Sequence, residues 1–158
     1  RMAKNKDFID GFRIDHRNLN NCINSLHRAL ENSKMSEVKV ILSEMKKTTE
    51  PLFKFEEDYL YPRLLRLMRE TTQQLHNEHE TILKFFDETI DILDKANPSG
   101  IKKETILNNL SRFSIMLEKC DDLSYFAEKF HQDEREDLNR RYQECKTSGN
   151  GLVIKNKG

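Results

Sequence analysis

From Asp7 to Asn32, the apolar residues Ile9, Phe12, Leu19, Ile23, Leu26 and Leu30 recur at helical spacing, and His16 fills the one slot that breaks the series. The pattern predicts an amphipathic helix over 7–32 with its apolar face turned toward a core. Ser36, followed by Glu37, is the expected N-cap of a second helix. Its face reads Val38, Ile41, Met45, Leu52 and Leu60, with Glu56 in the middle. Pro51 and Pro62 are expected to kink or divide that helix. Thr71 and Gln74 have capping-box spacing and predict the start of a third helix. Its stripe is Leu75, His79, Ile82, Phe86, Ile90 and Leu93, ended by "ANPSG". A last helical stretch, 102–142, uses Leu110, Phe113, Leu117, Cys120, Ala127 and Leu138, with His131 on the same side. Unbroken it would be about 60 Å long, so a bend is expected near "CDDLS".

Four amphipathic segments with short connections specify an all-α fold, an antiparallel up-down four-helix bundle over 7–144. Residues 1–6 and 145–158 are expected to be flexible ends. Lys plus Arg (27) equals Asp plus Glu (27), with no basic cluster, which argues against nucleic acid as a partner. No apolar run approaches the roughly 20 residues that span a bilayer, so no membrane partner is expected. The start "RMAKNKDF" is polar, unlike a secretion signal. The 3 cysteines are odd in number and lack CxxC spacing. Both features predict a cytoplasmic setting.

Each predicted helix therefore carries one polar group in its apolar stripe: His16, Glu56, His79 and His131. A single histidine on an apolar face is most often a hydrogen-bonded core residue. Four such groups converging inside one bundle would be costly to bury separately, and one shared cation would satisfy them together.

The segments "DHRNL" around His16, "FEEDYLYPRL" around Glu56, "EHETIL" around His79 and "FAEKFHQDEREDL" around His131 resemble, in order, those of hemerythrin-like HHE cation-binding domains. The resemblance implies a four-helix bundle around a non-haem di-iron centre held by histidines and bridging carboxylates. Its members carry or sense oxygen, respond to nitric oxide or iron, or repair iron centres. By motif, His16, Glu56, His79 and His131 fall on ligand positions. The chain also departs from the pattern. Leu52 stands where the family has a histidine four before Glu56, Leu75 precedes His79 where some members have histidine, and Arg135 replaces a carboxylate four after His131. Glu134, three residues after His131, is the best replacement carboxylate. His27 and His76 are weaker candidates.

The leading expectation is a reduced site for one or two ions of non-haem iron, or for zinc, at His16, Glu56, His79, His131 and Glu134. It would serve in sensing or handling iron, O2 or NO. The competing expectation is a metal-free interaction domain with no cofactor, in which Arg135 pairs with Glu56. A redox enzyme has the least support, since no substrate pocket is legible.

Overall fold

A computed structural model describes residues 7–95 and 102–157, with side chains as far as Ser148. The expected flexible start 1–6 and the "ANPSG" loop lie outside the described residues, as do the side chains of most of the expected tail.

Helix α1 spans Phe8–Glu31 and α2 spans Met35–Phe55; a π-helical turn, Glu56–Leu60, then leads into α3, Tyr61–Asp94. Helices α4, Lys103–Ala127, and α5, Gln132–Lys157, complete the chain, and no strand occurs among the described residues. Helix α1 packs against α2 and α4, and α3 packs against the same two, which closes the four-membered bundle. Helix α5 lies across α1, α2 and the π turn. The core is aromatic and aliphatic, with Phe8, Phe12, Phe53, Phe55, Phe86 and Phe113 fully buried.

The expected start of α1 is correct: Asp7 caps it, its carboxylate accepting from the Ile9 N–H at 3.2 Å. Ser36 does not cap α2. The N–H of Lys34 reaches the Ala29 carbonyl and that of Ser33 reaches Leu30, with Ser33 at φ 56°. This tight left-handed closure lets α2 begin at once at Met35, leaving Ser36 inside its first turn.

Pro51 is accommodated within α2, whereas the region before Pro62 is remodelled. Pro62 has no N–H to offer the carbonyl four residues back, and its ring crowds that carbonyl. The preceding turn widens, and the Tyr61 N–H reaches the Glu56 carbonyl five residues back. The third helix does not open at Thr71. The chain stays helical through it, and the break falls earlier, at Met68 (φ −142°, ψ 49°). The hydroxyl of Thr72, rather than Thr71, donates to the Met68 and Arg69 carbonyls that the kink exposes.

The expected bend in the last stretch lies between α4 and α5, at 128–131, a few residues beyond "CDDLS". Cys145 is buried within α5. No helix among the described residues is long and apolar enough to cross a membrane.

Candidate metal centre

His16 in the first half of α1, Glu56 directly after the end of α2, His79 midway along α3 and Cys120 in the last third of α4 come together in the bundle, and all are buried. The Nε2 or Nδ1 of His16, a Glu56 oxygen and the Cys120 Sγ lie within 4.8 Å of one another. His79 adjoins this group, with Nε2 3.3 Å from Glu56 Oε1.

The orientation of each ring is set from behind. His16 Nδ1 lies 2.5 Å from Asp121 Oδ1, and His79 Nδ1 lies 2.8 Å from Glu57 Oε2. A carboxylate can only accept, so each Nδ1 carries the hydrogen and each Nε2 is turned toward the centre. Two adjacent pairs supply these contacts. In "EE", Glu56 points inward and Glu57 backs His79; in "CD", Cys120 points inward and Asp121 backs His16. Consecutive residues of an α-helix or a π turn point roughly a quarter-turn apart, which lets one turn supply an inner group and an outer support.

Aromatic rings cover the flanks. Phe53 stacks on His79 with centroids 3.7 Å apart and planes at 4°, and Phe12 lies 4.2 Å from the His16 ring. The Tyr61 hydroxyl is 3.2 Å from His79 Nε2 and 3.5 Å from Cys120 Sγ.

The electrostatics are unusual for a core. Both Glu56 oxygens and His16 Nε2 lack an aligned hydrogen bond in the protein, and the charge that faces Glu56 is the His79 ring, 3.3 Å away. A buried carboxylate without hydrogen bonds to its lone pairs is costly to hold in a fold. Burial disfavours the charged form of His79, yet the carboxylates of Glu56 and Glu57 outweigh it and hold the imidazole up at about 8. Burial, then the charge of Glu56, pushes the Cys120 thiol well above its ordinary value. Nitrogen, carboxylate and sulfur donors that share one unsatisfied point fit a transition-metal cation.

The other expected ligands lie elsewhere. His131 is exposed in the break before α5, where its carbonyl accepts from the Arg135 N–H. The break shifts the phase that a continuous helix would have given it. Glu134 is partly exposed, its Oε2 3.8 Å from Arg63 Nε. Arg135 does not meet Glu56. It pairs with Asp7 at the start of α1 and donates to the Glu128 carbonyl at 3.2 Å, so the expected core pair with Arg135 is incorrect. His27 stands outside the cluster, and His76 is half exposed, its Nδ1 2.9 Å from Glu57 Oε1.

The family model of the hemerythrin HHE cation binding domain matches residues 7–132. The chain belongs to the hemerythrin HHE family. Compared with curated proteins and with solved structures, it finds no significant match. Within this hemerythrin-like bundle, the positions expected from the family to carry additional histidines are closed by Leu52 and Leu75, both fully buried. Cys120 is the donor that sequence reasoning passed over, as a small core residue. Its signal was the acidic Asp121 directly after it, a pairing that repeats Glu56 and Glu57.

Proposed function

We propose that this hemerythrin-like chain is a cation-binding module for a single iron or zinc ion. His16 Nε2, the Glu56 carboxylate and Cys120 Sγ would hold it, with His79 adjacent. Its role would be in sensing or handling iron, O2 or NO rather than in catalysis. The observation that carries this reading is the convergence of three buried donor atoms that lack a hydrogen bond, two on Glu56 and one on His16, beside a thiol. Leu52 and Leu75 remove the donors a second ion would need, which favours one ion over two. A bound iron with a free coordination position supplies a place for a small ligand such as O2 or NO. The protein's own part is to fix the donors through Glu57 and Asp121 and to exclude water with Phe12 and Phe53.

A second reading has its own support. His79, held up at about 8, carries a positive charge at neutral pH that faces Glu56 without any metal. In that reading, the chain is a metal-free interaction domain. Metal analysis of untagged protein after iron or zinc reconstitution separates the two. About one equivalent, with a melting temperature that falls on chelation, supports the module. A negligible metal content and no effect of chelator support the metal-free domain.

A further inference from the structure

A groove of about 470 Å³ opens where the Met68 kink parts the two halves of α3. Its walls include Glu57, Tyr61, Pro62 and Leu65 on one side and Thr72 and His76 on the other. Two of these residues are also walls of the buried cluster. Glu57 reaches His76 with one oxygen, at 2.9 Å, and His79 with the other, at 2.8 Å. Tyr61 lines the groove, while its hydroxyl touches His79 and Cys120. Tyr61 is therefore common to the wall of the groove and to the candidate centre. A second surface depression, at Ser36, Glu37, Val40 and Ile41 near the start of α2, includes none of the cluster residues.

We infer that this groove is the route by which the cation reaches and leaves the centre. The inference rests on the cation-binding reading above. A hydrated cation sheds water stepwise as it gains nitrogen and oxygen ligands, and the mouth offers an imidazole and a carboxylate already side by side. The pair His76 and Glu57 makes the first contact, and Tyr61 is the inner door. Phe53 stacked on His79 and Phe12 beside His16 cover other sides of the cluster with hydrocarbon, through which a charged ion does not pass. A surface ion pair between His76 and Glu57 would by itself contribute little stability, so a purely structural role for His76 predicts no kinetic effect.

The test uses the full chain and Zn2+ alone, with uptake followed by stopped flow and release followed by chelator extraction. Asn77, on the rim of the groove, is changed to Trp to narrow the mouth; exposed Lys84 is changed to Trp as a control away from it. Asn77→Trp slows uptake and release alike by at least about fivefold, since passage then needs an added conformational opening, and leaves the equilibrium affinity unchanged. His76→Ala slows both in the same sense and carries the test if the tryptophan variant misfolds. Lys84→Trp exchanges at the wild-type rate. Wild-type rates in both Asn77→Trp and His76→Ala overturn the route while leaving the metal site standing. Failure of the wild type to bind Zn2+, and Fe2+ in its place under anaerobic conditions, overturns the cation-binding reading and the route with it.

Discussion

Glu57 Oε2 lies 2.8 Å from Nδ1 of His79, directly behind the ring that faces Glu56. This contact fixes which nitrogen of His79 looks into the centre. Carboxylates in that position hold both the tautomer and the direction of the ring. Glu57→Gln keeps the shape but replaces the anion. Metal affinity should fall by about tenfold to a hundredfold, with helix content unchanged. A competition titration against a calibrated chelator checks it, and an unaltered affinity would show that His79 is not part of the site.

His131 and Glu134 give the opposite expectation. Both lie outside the cluster, one exposed and the other near Arg63. The double change His131→Ala with Glu134→Ala should leave metal affinity and stoichiometry at the wild-type level. Loss of binding in that variant would mean that α5 swings inward when the cation is present.

The contrast between His131 and Cys120 shows how far the sequence could be read. Periodicity located the faces of α1, α2, α3 and α4, and with them His16, Glu56 and His79, because His16 and His79 lie in regular stretches of helix and Glu56 directly follows one. It failed at His131, since a short break between α4 and α5 resets the phase, and no proline or glycine marks that break. Cys120 was visible on the correct face. A buried cysteine is usually a small hydrophobe, however, and only its neighbours in space distinguish it. Capping signals misled at Ser36 and Thr71, where a tight turn and a kink moved the helix boundaries.

Metal binding should strengthen as pH rises. In the metal-free chain the Cys120 thiol is raised by burial and by Glu56, so it keeps its proton at neutral pH, and a cation must displace it. One displaced proton corresponds to about tenfold in affinity per pH unit. The metal-free chain changes in the other direction. His79, raised to about 8, stabilises it fully below the ordinary value of 6.5, and that contribution is lost as pH rises through about 8. The gap in melting temperature between loaded and chelated protein should thus widen from pH 6 to pH 9. Thermal unfolding scans in matched buffers measure it, and a gap that narrows would contradict the assignment. Cys120→Ser should flatten the dependence of affinity.

Gly11 sets the approach of α5 to α1. A Cβ there would lie 2.7 Å from Cε2 of Tyr142. That ring cannot easily move, because it packs edge-on against Phe55 at 5.1 Å and its hydroxyl donates to buried Asp15. Alanine gains about 1 kcal/mol of helix propensity, but overpacking costs about 1–3 kcal/mol. Gly11→Ala should therefore be destabilising by about 1 kcal/mol, seen as a lower urea midpoint with an unchanged slope. A more stable variant would show that the two helices separate readily.

The central claim is that one cation is held jointly by His16, Glu56 and Cys120. X-ray absorption at the metal edge of the reconstituted, untagged chain tests it most directly. The expected spectrum has one sulfur neighbour at about 2.3 Å among nitrogen and oxygen donors, and the sulfur is lost in Cys120→Ser. A shell of nitrogen and oxygen alone in the wild type, or a spectrum identical in the two proteins, would contradict it.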